Sequence, residues 1–142
     1  MTRIEVFLDS SFAIALSNPR DALHATARSL VTQLRTPGFR VVTTRAVIVE
    51  IGNALSRSRY REAAVTLITN FELDPDIEIV PLSEELFERA FSLFRDRSDK
   101  GWGLTDCVSF VVMRERGIGD ALSADHHFRQ AGFRTLLSPP TG

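Results

Sequence analysis

The run Val6-Phe7-Leu8 closing on Asp9, within the first ten residues, constrains the fold more than any other stretch. Three consecutive bulky apolar residues without alternation read as a strand covered on both faces, as strands of parallel sheets are. A carboxylate at the end of such a strand lies at the carboxyl edge of the sheet, where open α/β sheets bind their ligands. Asp9 is therefore the first candidate site residue. The competing reading is an Asp that opens a turn or caps the next helix.

The segments after Ile4–Ser11 support a sheet with crossover helices. Ser10–Asn18 reads as a short helical turn and Asp21–Leu34 as a longer helix ended by Thr36-Pro37-Gly38. Arg40–Thr43 is a short strand, and Thr44 is placed to cap a helix over Arg45–Arg57. Arg61–Phe71 is helical, Ile77–Val80 alternates as a strand, and Ser83 caps a helix that runs to Arg97. Leu86, Phe87, Ala90, Phe91 and Phe94 on that helix read as one core-facing stripe. The loop Ser98–Leu104 holds Trp102 between glycines, and Thr105-Asp106 opens an apolar helix that stops at Gly117. Gly119–Asp125 is a strand, His126 begins a helical turn, Phe133–Leu137 is the last strand, and Ser138–Gly142 is a frayed tail. Strands and helices largely alternate, which predicts a parallel sheet with helices on both faces.

A chain of 142 residues suits one domain. No apolar run approaches the ~20 residues that span a bilayer, and no signal-peptide pattern opens the chain, so a cytoplasmic location is expected. Cys107 stands alone, which excludes an internal disulfide and a cysteine-rich zinc site and leaves it as a small buried apolar residue. The net charge of -1 gives no basic footprint for nucleic acid. Of 17 cationic residues only Lys100 is a lysine. Guanidinium groups suit phosphate oxygens, though codon bias in a GC-rich genome gives the same skew.

Four carboxylates recur at comparable places: Asp9 and Asp125 after strands, Glu50 beside the core stripe of a helix, and Asp106 in the first turn of another. Each has a bland explanation alone, a turn or cap for Asp9, a solvated face for Glu50 and a helix-dipole contact for Asp106. In a doubly wound sheet these places can converge on one edge. Several carboxylates together need raised pKa values or a bound cation, and an all-oxygen set selects Mg²⁺ or Mn²⁺. Such an ion can orient a phosphodiester and lower the pKa of an attacking water.

The segments Val6–Ser11, Thr44–Leu55, Leu104–Phe110 and Ala121–Phe128 resemble, in order, the motifs of the PIN domain. The resemblance covers almost the whole chain. It implies a Rossmann-like sheet of five parallel strands in order 3-2-1-4-5 in a single domain, 1–142, and Mg²⁺- or Mn²⁺-dependent ribonuclease activity leaving 5′-phosphate and 3′-hydroxyl ends. It places metal ligands and catalytic groups at Asp9, Glu50, Asp106 and Asp125, with Thr44, Asn53 and Thr105 as supporting polar residues. Asp99 lies where some members carry a further acid, whereas Asp120 reads as a solvated turn residue. Members of this length are commonly VapC-type toxins, homodimeric and paired with a small antitoxin.

An arginine rim drawn from Arg45, Arg57, Arg59 and Arg61 would bring RNA phosphates to an acidic site. Adjacent His126 and His127 cannot form an i, i+4 zinc pair, so one is expected to pack and the other to face solvent, with a phosphate contact open to either. A PIN-like module that binds RNA or protein without cutting is the alternative. A phosphotransferase using Asp9 as nucleophile fits poorly, since Ser11 stands where that chemistry wants a second acid.

Overall fold

The computed structural model describes residues 2–137, so the expected tail, Ser138–Gly142, lies outside the described residues. In chain order the elements are β1 (Ile4–Leu8), α1 (Ser10–Ser17), α2 (His24–Leu34), β2 (Phe39–Thr44), α3 (Arg45–Ala54) and α4 (Ser58–Leu73). They continue as β3 (Ile77–Val80), α5 (Glu84–Asp96), α6 (Leu104–Arg116), β4 (Asp120–Leu122), α7 (His126–Gln130) and β5 (Arg134–Thr135). The five strands form one parallel sheet in the order β3-β2-β1-β4-β5, as expected. Val6, Phe7 and Leu8 are all buried, so both faces of β1 are covered. Among the described residues no helix is long and apolar enough to cross a membrane.

Strand β1 pairs with β2 on one side and β4 on the other, which puts the switch in strand order between β1 and β4. An aromatic cluster fixes the elements around that point. Phe110 of α6 meets Trp102 and Phe128 edge-on at 5.0 Å each, and Phe128 packs on Phe7 at 6.3 Å. The indole N–H of Trp102 also donates to Gln130 Oε1 at 3.1 Å, tying the loop before α6 to α7. Trp102 thus anchors its loop to the core. Cys107 is fully buried on α6, and burial pushes its thiol up to about 11.

Several boundaries move for local reasons. Thr44 and Ser83 cap as expected, each hydroxyl accepting an amide N–H at 3.1 Å, from Val47 and Leu86. Helix α3 stops at Ala54 instead of Arg57, and α4 starts at Ser58 instead of Arg61. Strand β4 is three residues long, because Ser123 Oγ accepts the amide N–H of Asp125 at 3.0 Å and turns the chain toward α7. Strand β5 keeps two residues, pinned by a two-pronged Arg134–Asp120 ion pair, so Asp120 is an ion-pair partner and not a solvated turn residue.

The stripe on α5 needs a larger correction. Leu86 and Ala90 are buried with Leu93 partly so, whereas Phe87, Phe91 and Phe94 are 41%, 45% and 43% exposed. The two sets are offset by one residue, about 100° around the helix. Only the first set faces the core. Phe87 and Phe91 stack on each other at 6.1 Å on the outer side.

Candidate active site

Asp9 follows β1 directly and is only 4% exposed. It stands at the N-cap of α1 but does not cap it through its side chain, so the capping reading of this residue fails. Its Oδ2 accepts instead from Ser123 Oγ at 2.8 Å and Ser11 Oγ at 2.9 Å. Burial raises its pKa to about 6; the two hydroxyls lower it in part, and the charge of Glu50 raises it again. The half-buried Glu50 on α3 takes a hydrogen bond from Ser10 Oγ, the residue next to Asp9. The border position read from the helix pattern therefore brings the second carboxylate to the first.

Asp106 and Asp125 make a second pair. Asp106 sits in the first turn of α6, where its Oδ2 accepts the amide N–H of Gly103 at 3.0 Å. The dipole contact is real, yet burial and then the charge of Asp125 act to raise its pKa, which ends above the usual carboxylate range. Asp125 caps α7, its Oδ1 accepting the His127 amide N–H at 2.9 Å. The imidazole of His127 lies between the two acids, with Nδ1 3.2 Å from Asp106 Oδ2 and 3.3 Å from Asp125 Oδ1. Ser123 joins this pair to Asp9, since its hydroxyl donates to Asp9 and accepts from the Asp125 amide. All four acids thus hang on one chain of polar contacts across the β1–β4 switch.

The other expected residues divide. Thr44 is buried and spends its hydroxyl capping α3, which holds the helix that carries Glu50. Asn53 is exposed, and no hydrogen bond between it and Glu50 is described. Thr105 is half-buried in the first turn of α6, where its carbonyl accepts from Ser109 Oγ. Asp99 is bound by both guanidinium prongs of Arg97, which hold its carboxyl below the usual range. Arg45 is ion-paired with Glu72 at 2.6 Å. Arg57 is exposed at the start of α4, Arg59 lies over the Tyr60 ring, and Arg61 donates to the Ser56 carbonyl. His126 faces solvent and His127 packs, as expected of adjacent histidines.

Sequence reasoning did not single out Ser10, Ser11 or Ser123, nor the bridging place of His127. Their only sequence signal is position: two serines directly after Asp9, one serine two residues before Asp125, and one histidine two residues after it.

Four carboxylates offer only hard oxygen donors, the set for Mg²⁺ or Mn²⁺. Burial and mutual repulsion at Asp9 and Asp106 are costs that a cation would remove. In this respect the residues fit a divalent ion. Among the described residues, only Asp125, His126 and His127 form a group of three that brings one ligand atom each within 4.8 Å of one another. The four acids are therefore spread more widely than one inner coordination shell, as two coupled pairs.

Fold and site together define a Rossmann-like α/β protein with an acidic, cation-suited edge at its switch point. Residues 6–134 match the PIN domain, and the chain belongs to that family. It is 32% identical over 128 residues to VapC20 of Mycobacterium tuberculosis, a 23S rRNA-specific endonuclease, over 90% of this chain and 95% of that protein. The crystal structure of the same VapC20, described as a sarcin-ricin loop cleaving toxin, superposes with a TM-score of 0.81 at 31% identity, covering 90% of this chain and 95% of that one. VapBC2 from Rickettsia felis, solved with a DNA fragment from its promoter, shares the fold with a TM-score of 0.64 at 13% identity, covering 93% and 97% of the two chains.

Proposed function

We propose that this protein is a Mg²⁺- or Mn²⁺-dependent endoribonuclease, the toxin of a VapC-type toxin–antitoxin pair. The observation that carries the reading is Asp9, a buried carboxylate held by Ser11 and Ser123, pressed by Glu50 and linked through Ser123 to Asp125. Asp9 and Asp106 would hold the ion directly, and Glu50 and Asp125 directly or through water. Once bound, such an ion orients a phosphodiester and lowers the pKa of an attacking water. The chain supplies the rest. Hydroxyls fix the Asp9 rotamer, the Gly103 amide fixes Asp106, and the Ser10 hydroxyl orients Glu50. Water attacks phosphorus and the 3′-oxygen leaves, giving 5′-phosphate and 3′-hydroxyl ends.

Structured ribosomal RNA is the first substrate to test, since VapC20 is named for that target. Arg57 and exposed His126 would contact phosphates, and Arg45 would do so by leaving Glu72. An apolar groove of about 300 Å³ between α1, α2 and α4, lined by Phe12, Leu16, Val31, Leu34, Leu67 and Phe71, suits an apolar segment of the antitoxin. The outer α5 face, where Phe87, Phe91 and Phe94 are exposed, would pair with a second copy. The reading places one domain, 1–142, in the cytoplasm with its RNA.

The test is cleavage of purified ribosomes and ribosomal RNA with Mn²⁺, with Mg²⁺ and with chelator. Cleavage should need the metal and fall by about 100-fold or more in Asp9→Asn and Asp106→Asn. No cleavage with either ion, or equal cleavage in chelator and in both variants, refutes it.

A further inference from the structure

We propose that His127 is a positioning residue: its Nδ1–H donates to Asp106 on α6 and stands at ion-pair distance from Asp125 before α7, fixing both carboxylates for the same ion. This rests on the metal-nuclease reading above. The ring is 22% exposed, and its Nδ1 lies 3.2 Å from Asp106 Oδ2 and 3.3 Å from Asp125 Oδ1. Against two ionised carboxylates that nitrogen acts as the donor, which both the neutral Nδ1–H tautomer and the imidazolium provide. The bridge therefore needs no change of charge on the ring.

The engaged oxygens show what the bridge achieves. On Asp106 the Gly103 amide and His127 both act on Oδ2, and on Asp125 the His127 amide and ring both act on Oδ1. Among the described residues no protein donor reaches Asp106 Oδ1 or Asp125 Oδ2. Each carboxylate is thus gripped by one oxygen and presents the other. Asp106 and Asp125 lie 19 residues apart in the chain on segments that share no backbone ladder, and the carboxylates repel each other. A donor between them offsets that repulsion and fixes their relative place. The Trp102–Gln130 hydrogen bond ties the loop that leads into α6 to α7, which keeps the two segments together around the ring.

Three variants separate donation from bulk. The amide nitrogen of Asn can take the place of Nδ1, that of Gln falls nearer Nε2, and Ala offers no donor. Mn²⁺ binding is measured by calorimetry on the purified chain without RNA. His127→Ala and His127→Gln should weaken it by about 10- to 100-fold, while His127→Asn should stay within about threefold of wild type. Pulsed EPR of the Mn²⁺-loaded wild type should show no directly coordinated nitrogen. Unchanged binding in His127→Ala, equal loss in folded His127→Asn and His127→Ala, or a directly bound ¹⁴N overturns the proposal and leaves the nuclease standing. Should His127→Ala fail to fold, His127→Gln against His127→Asn decides in the same way. A wild type that takes up no Mn²⁺ overturns the metal reading, and this proposal with it.

Discussion

Replacing Asp9 by Asn should stabilise the metal-free protein. The Asp9 carboxyl titrates near 6 in the fold, against the ordinary 3.8, chiefly because it is buried and next because Glu50 lies close, opposed by the Ser123 and Ser11 hydroxyls. At 1.36 kcal/mol for each pH unit, keeping it ionised at neutral pH costs about 3 kcal/mol. Asn keeps an acceptor for both hydroxyls and removes the charge. For a chain of this size the gain is about 10 °C in Tm. The sign is set by proton binding: between about pH 4 and 6 the folded state holds this proton and the unfolded chain releases it, so wild-type stability falls as pH rises through that window. The stability of Asp9→Asn carries no such contribution. The assay is thermal or urea unfolding of both proteins in chelator from pH 4 to 7.5. The gap should be near its full value at pH 7.5 and close on approaching pH 4, and Mn²⁺ at pH 7.5 should also narrow it by stabilising wild type. A variant no more stable than wild type at pH 7.5, or a gap independent of pH, refutes the claim that burial strains this carboxylate.

Two further outcomes follow from the same contacts. Ser123→Ala removes a fully buried hydroxyl that serves Asp9 and the Asp125 amide, so it should cost about 1–3 kcal/mol in denaturant unfolding and weaken Mn²⁺ binding; a loss under about 0.5 kcal/mol would show that the hydroxyl is dispensable. The proposed pairing through the outer α5 face predicts that Phe91→Glu leaves stability within about 0.5 kcal/mol and lowers the mass by light scattering from dimer to monomer; a wild type that is already monomeric, or a variant that stays dimeric, refutes that interface.

Much of this protein was legible in its sequence because the relevant physics is local or periodic. A short apolar run that closes on an Asp reads as a doubly covered strand, Thr44 and Ser83 announce helix starts, and alternating elements point to a parallel sheet whose carboxyl edge collects Asp9 and Asp125. Glu50 was legible too, since a carboxylate bordering an apolar helical stripe must meet something polar, and here it meets Ser10. Tertiary structure alone decided the rest. Periodicity groups residues by face without saying which of two adjacent faces is covered, so Phe87, Phe91 and Phe94 could not be told from core. Nor does sequence pair partners far apart in the chain. The Ser123 hydroxyl reaches Asp9 across 114 residues and His127 reaches Asp106 across 21. The sequence by itself determined the four carboxylates and the edge they share; only the packing of β1, β4, α6 and α7 decided which hydroxyls, amide and imidazole hold them there.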